Sequence, residues 1–232
     1  MGVVKGNFGD IIVTYSLKFV YGVATRVFFM SERKYRTRGQ RLSMGQAGRL
    51  GAEAKVNREL AIIDELTGLL NRRGLTDEVE GFMPIADRGY MTLSLLVFDL
   101  DNFKNINDTY GHPEGDLALI EVAKILRKFF REGDILSRFG GDEFCVLMIA
   151  SDTESSEKRA EELRQVIELM SNDDESIELS ISGGVVTYEL KEGWESIYTR
   201  ADECLYNAKQ EGGNQIWGSE GKITIATVEL GH

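Results

Sequence analysis

The stretch MTLSLLVFDLDNFK, residues 91–104, decides the architecture. Met91 to Leu100 is mostly apolar, the composition of a strand covered on both faces at the centre of a sheet. It runs into two carboxylates, Asp99 and Asp101, and a helix then opens with Lys104. A strand end is rigid, so an Asp there can hold a hard cation through oxygen. The helix start offers unpaired backbone N–H groups to a phosphate, and Lys104 adds a point charge. The alternative at this point is that Asp99 or Asp101 simply caps the helix.

Working outward, the spacing of apolar residues predicts helices over 102–109 and 114–131, then strands over 134–139 and 143–149. The two strands meet at Gly140-Gly141, a pair suited to a two-residue hairpin. Upstream, a helix is expected from Ala52 to about Asp64 and a short one over 72–80. Downstream come an amphipathic helix over 154–170, a strand over 177–188 and a helix over 194–210. Short strands at 215–218 and 223–228 close the chain. Crossovers mixed with one hairpin predict an α/β (α+β) fold, a mixed sheet with helices packed on it.

The hairpin carries a second group of acids, Gly140-Gly141-Asp142-Glu143-Phe144. Glycines at a tip present no Cβ, so a flat ligand can lie on the backbone. Two adjacent acids at a strand start repel unless something positive sits there. Asp99 and Asp142 can then share one divalent ion; the competing reading is an ordinary turn with solvated acids. Asn107, His112 and Asp116 follow Lys104 across a helix junction. A carboxylate accepts from the ring N–H and amino group of guanine, a donor pair that adenine lacks. Capping by Asp116 and a turn role for His112 are the structural alternatives. Lys209 precedes Gly212-Gly213-Asn214, which by itself fits an exposed lysine before a glycine helix stop.

Charge divides the 232-residue chain. Residues 1–58 hold 11 basic against 3 acidic side chains, a net +8, whereas the remainder is −19. An acidic body of that kind excludes a broad nucleic-acid face. Residues 1–30 read as a β-hairpin or a fragment of an accessory sensory domain. Their apolar run Ile11–Met30 approaches membrane-spanning length, yet Lys18 and Arg26 interrupt it and Tyr15, Leu17, Phe19, Tyr21 and Val23 alternate at strand period. Residues 31–58, basic and glycine-rich, form a linker and the start of a coupling helix. The main folded domain is expected over 59–218, followed by a tail, 219–232, with room for a short strand. Cys145 and Cys204 form no pattern, which fits a reducing, cytoplasmic location.

Together these segments resemble the GGDEF family of diguanylate cyclases. GGDEF stands verbatim at 140–144, and FDLDNFKNINDTYGHPEGD at 98–116 looks like the family's metal- and guanine-binding segment. DELTGLLNRR at 64–73 resembles its opening motif and YNAKQEGGN at 206–214 its closing one. The resemblance implies a palm-like domain with a central five-stranded mixed sheet. It implies condensation of two GTP into cyclic di-GMP, with release of pyrophosphate, by a homodimer that faces one GTP to the other. Two Mg²⁺ (or Mn²⁺) per active site are implied, held by Asp99, the carbonyl of Leu100, and Asp142. Asp142 or Glu143 would help deprotonate the 3′-hydroxyl. Asn102 and Phe103 would offer backbone N–H groups to the phosphates, Lys104 and Lys209 would offset developing charge, and Gly140-Gly141 would form the nucleotide-bearing tip. Asn107, His112 and Asp116 would hold the nucleoside. Arg131 and Asp134, five residues or more ahead of Gly140, resemble the family's product-inhibition site. A further arginine from the 154–170 helix often assists there; Glu162 falls at that position here, with Arg159 and Arg164 nearby. Gly213 stands where the closing motif usually carries an arginine, so weaker GTP binding is expected. A nucleotide receptor without turnover and a mononucleotide cyclase are the competing readings. An upstream sensory module is expected as partner.

Overall fold

The computed structural model describes residues 7–8, 11–12, 62–172 and 177–226. Within residues 1–41, which form a compact unit of their own, two short strands pair antiparallel: β1 (Asn7–Phe8) and β2 (Ile11–Ile12), with Asn7 opposite Ile12. The alternating run 15–23, the basic, glycine-rich residues 31–58 and most of the coupling helix lie outside the described residues. Ile62–Asp64, its expected end, are not helical: Ile63 bridges Leu70.

In the second unit the order is α1 (Arg72–Ala86), β3 (Leu93–Leu100), α2 (Phe103–Tyr110), α3 (His112–Phe129), β4 (Ile135–Gly140) and β5 (Glu143–Ile149). There follow α4 (Thr153–Asn172), β6 (Ile181–Thr187), α5 (Trp194–Gln210), β7 (Ile216–Gly218) and β8 (Gly221–Lys222). The sheet runs β4-β5-β3-β6-β7-β8, antiparallel except where β7 lies parallel to β6. The five expected strands are there, and the two-residue β8 adds a sixth. β8 also corrects the expectation of a strand over 223–228, since residues 223–226 are not strand.

α1 outruns its expected end at 80 by six residues. Gly81 and Pro84 argue for a stop there, but Met83 and Ala86 are buried in the core. Tertiary burial outweighs the local cost, which includes the intrahelical N–H bond that Pro84 cannot make. The 177–188 strand is shorter than expected, because 177–180 run irregularly up to β6.

β3 is the central strand, and its alternation sorts the molecule into layers. Leu96, Phe98 and Leu100 pack with Leu119, Val122 and Leu126 of α3 and Leu163 and Ile167 of α4. Leu95 and Val97 pack on the opposite face with Leu75 and Val79 of α1 and Ile197, Ala201 and Leu205 of α5. α5 presses on the sheet at Gly184, where a Cβ would come 2.0 Å from the carbonyl oxygen of Ala201. Any larger residue would push α5 away from the strand ends, and with it the polar side chains that α5 carries. Both cysteines are buried and free, as packing residues.

Candidate active site

Asp99 and Glu143 extend the sheet face that carries α5. Asp99 follows Leu95 and Val97 in the β3 alternation, Glu143 precedes Cys145 and Leu147 in that of β5, and the two residues are directly paired across the strands. α5 brings Lys209 to the same place, its Nζ 2.8 Å from Asp99 Oδ2. Asp99 is pushed up to about 6. Burial is the largest cause; the lysine contact opposes it, and the charges of Asp142 and Glu143 add to it. Glu143 is also raised, mainly by burial. Three acids therefore face one lysine, a surplus of negative charge that a hard divalent cation would relieve.

The hairpin differs from expectation by one residue. Gly140 is the last residue of β4 and pairs with Glu143, so the turn is Gly141-Asp142, with a bulge between Arg138 and Gly140. Gly141 has φ +48°, the left-handed region that glycine tolerates. Arg138 steadies the tip: its Nε donates to the carbonyl of Gly141 at 2.8 Å, and its Nη1 meets Asp64 at 3.2 Å. Asp142 is thus a turn residue beside the end of β3, where the Leu100 N–H donates to its carbonyl at 3.3 Å. The donor types suit Mg²⁺, which takes one or two carboxylates, carbonyls, phosphate oxygens and water rather than an all-protein cage. Among the described residues no group of three His, Cys, Asp or Glu side chains stands close enough together to hold a metal ion by itself.

Beside the acids opens a cleft of about 340 Å³ lined by Asp99, Leu100, Asp101, Asn102, Lys209 and the loop Gly212–Asn214. Its floor is the start of α2. Asn102 is left-handed (φ 55°) and makes no side-chain cap, so the cleft meets a helix start with free backbone donors. Phe103 packs against the core, and Lys104 is exposed. Asp101 does not cap α2. Its carboxylate accepts from Ser180 Oγ at 2.8 Å, Ser182 Oγ at 2.6 Å and the Asn214 N–H at 2.9 Å. It ties the closing loop to β6. Gly213 lies against this clamp with φ +75°, and a Cβ there would sit 3.2 Å from Asp101 Oδ1.

Asn107, His112 and Asp116 are gathered at one helix junction, because α2 and α3 are joined by Gly111 alone. Asn107 is half-buried on α2, and His112 and Asp116 lie exposed in the first turns of α3. The polar edge they form is separate from the cleft lining.

A family model for the diguanylate cyclase GGDEF domain matches residues 61–215, two thirds of the chain. The chain belongs to the GGDEF family. Diguanylate cyclase DgcP of Pseudomonas aeruginosa is 38% identical over 161 residues, 68% of this chain and 24% of that protein. Diguanylate cyclase A of Treponema denticola is 42% identical over 138 residues, 58% of this chain and 37% of that one. The chain thus spans about a quarter to just over a third of the length of these relatives. Among solved structures, the coiled coil and GGDEF domain of DgcB from Caulobacter crescentus, in complex with c-di-GMP, aligns with a TM-score of 0.69 at 28% identity. The alignment covers 75% of this chain and 94% of that one.

Two residues of this GGDEF domain stand apart from the cleft. Asp134 is nearly sealed, its carboxylate accepting from the N–H groups of Ile149 and Arg131 at 3.1 and 3.2 Å. Arg131 is two-thirds exposed, with its Nε 3.8 Å from Asp134. Arg159 lies over the ring of Phe129, 4.1 Å from its centroid, and donates to the carbonyl of Phe129, two residues before Arg131 in the chain. Arg164 does not join that group. It pairs with Glu161 and Glu168 and donates to Asn214 Oδ1 at 2.7 Å, bracing the closing loop from α4.

Sequence reading overlooked the Asp101 clamp, the Arg164 brace and Tyr198, which bonds Glu143 from α5. The spaced serines Ser180 and Ser182 and the asparagine ending the closing motif were a signal for the clamp; Tyr198 carried none.

Proposed function

We propose that this GGDEF domain is a diguanylate cyclase that joins two GTP molecules into cyclic di-GMP. The observation that carries the reading is the acid-rich strand end, Asp99 with Asp142 and Glu143, opening onto a cleft with Lys209 and the free donors of α2. The 3′-hydroxyl of one GTP attacks the α-phosphorus of the other; a new P–O bond forms, the bond to the β-phosphate oxygen breaks and pyrophosphate leaves. A second such step closes the ring. Glu143 or Asp142 takes the hydroxyl proton. Backbone N–H groups of Asn102 and Phe103 meet phosphate oxygens, and Lys104 and Lys209 offset the charge that builds on them. Asp99, the Leu100 carbonyl and Asp142 would hold Mg²⁺ or Mn²⁺, two ions per site, which supply Lewis-acid polarisation of the phosphates. Asn107, His112 and Asp116 select guanine.

Because each half-site holds one GTP, the active species is a homodimer, and specific activity rises with protein concentration until dimers saturate. Cyclic di-GMP binding at Arg131 inhibits. Arg131 is exposed to grip a phosphate or guanine edge, and Asp134, which accepts from two backbone N–H groups, has acceptor capacity left for a guanine donor. An upstream sensory module sets the dimer geometry in the cytoplasm. Among the described residues no helix is long and apolar enough to cross a membrane.

The test is incubation with GTP and Mg²⁺ and identification of the product by mass spectrometry. Cyclic di-GMP, lost by about 10³-fold in Asp142→Ala, supports the reading. GTP binding without product identifies a receptor, and 3′,5′-cyclic GMP a mononucleotide cyclase.

A further inference from the structure

We propose that Tyr198 is a positioning residue for Glu143, pinning one carboxylate oxygen so that the other is left for the reacting hydroxyl; this rests on the cyclase reading above. Tyr198 lies outside every motif that identifies the family. It stands half-buried on α5, one residue past Ile197, whose buried side chain belongs to the core. Its hydroxyl donates to Glu143 Oε1 at 2.5 Å. The phenol O–H is the donor and the carboxylate oxygen the acceptor.

What makes the phenol a positioning device is the rigidity behind it. The Tyr198 ring stacks on Phe139, centroids 4.8 Å apart and planes at 24°. Trp194 adds a tilted contact at 5.4 Å and itself lies 6.0 Å from Phe139, and the Arg72 guanidinium lies 4.6 Å from the centroid of Phe139. Phe139 is the bulged residue just ahead of the glycine tip. The hydroxyl is therefore referenced to the same hairpin that carries Asp142 and Glu143. Glu143 alone has three rotatable side-chain bonds; with Oε1 held, the second oxygen loses most of its freedom, on a residue paired across the strands with Asp99. A neighbour that orients a reacting carboxylate acts on turnover rather than on ground-state binding.

Tyr198→Phe keeps the stacking and removes only the hydroxyl. The expected result is a kcat for cyclic di-GMP about tenfold lower, with the KM for GTP unmoved and the unfolding midpoint lowered only by the loss of one hydrogen bond. Tyr198→Leu loses kcat to the same degree and also lowers the midpoint, since the aromatic stack goes with it. An unchanged kcat in Tyr198→Phe, or a KM for GTP raised by as much as kcat falls, overturns the proposal. A parent protein that makes no cyclic di-GMP refutes the cyclase reading separately. In either case the tyrosine doublet in the Raman difference spectrum, parent minus Tyr198→Phe, reads the contact without turnover. A phenol acting as strong donor is expected, and a non-donor signature refutes the contact itself.

Discussion

Asp99 and Asp101 stand two residues apart at the end of one strand, yet they meet opposite surroundings. Asp101 is surrounded by donors: two serine hydroxyls and a backbone N–H converge on its carboxylate. Asp99 has one lysine and two like-charged neighbours, and its carboxyl is pushed up to about 6. A satisfied carboxylate is scaffold. A frustrated one, half-buried among other acids, is costly to the fold unless a ligand relieves it, and such groups collect at functional sites. On the cyclase reading proposed above, the difference gives Asp101 the holding of the cleft and Asp99 its chemistry.

Substitutions on the two sides should therefore fail differently. The largest effect is expected for Asp99→Asn: product formation falls by about 10³-fold, while the metal-free protein unfolds no earlier than the parent. Loss of both activity and stability there would erase the contrast. Asp101→Ala should show the reverse. Removing an ionised acceptor from three donors costs about 2–3 kcal/mol in urea unfolding, and a loosened Gly212–Asn214 loop raises the KM for GTP more than it lowers kcat. Gly213→Arg comes next. It restores a phosphate-facing cation worth about 1.5–3 kcal/mol in binding, offset by the strain of a side chain at φ +75° against Asp101. The net expectation is a lower KM for GTP with a modestly lower unfolding midpoint; an unchanged KM would place position 213 out of reach of the phosphates.

The smallest effect concerns Asp64, a third acid whose surroundings resemble those of Asp101. Burial raises its pKa, but hydrogen bonds from Thr67 and the Arg138 charge outweigh it, so the carboxyl is lowered. A lowered folded-state value means stability that is present above the unfolded carboxylate value, about 3.9, and is lost as pH falls through the folded value. Asp64→Asn should be less stable at neutral pH and have a flatter acid limb in its unfolding profile. An acid limb identical to the parent's would remove the Asp64–Arg138 tie from the account.

Most of the fold was legible because β3 and β5 are long apolar runs and their faces are set by simple alternation. The errors fall where tertiary contact overrides local preference. Buried Met83 and Ala86 carry α1 past Gly81 and Pro84, and a bulge at Phe139 moves the turn from Gly140-Gly141 to Gly141-Asp142. The acids and Lys209 were legible as residue types at strand and helix ends. Asp101 was legible as an acid but not as a clamp, because its partners arrive from 79 to 113 residues away in the chain. Tyr198 was invisible for the same reason: only the packing of α5 on Gly184 brings it to Glu143.

The central claim is that the Asp99 end of the sheet is a cation seat rather than a structural ion pair. Thermal unfolding with increasing Mn²⁺, without nucleotide, tests it directly. The midpoint of the parent should rise with Mn²⁺, since an ion that binds only the folded state stabilises it by mass action. In Asp99→Asn the rise should be lost, from a metal-free midpoint at or above that of the parent. An equal Mn²⁺ response in both proteins, or a lower metal-free midpoint in Asp99→Asn, would contradict the account.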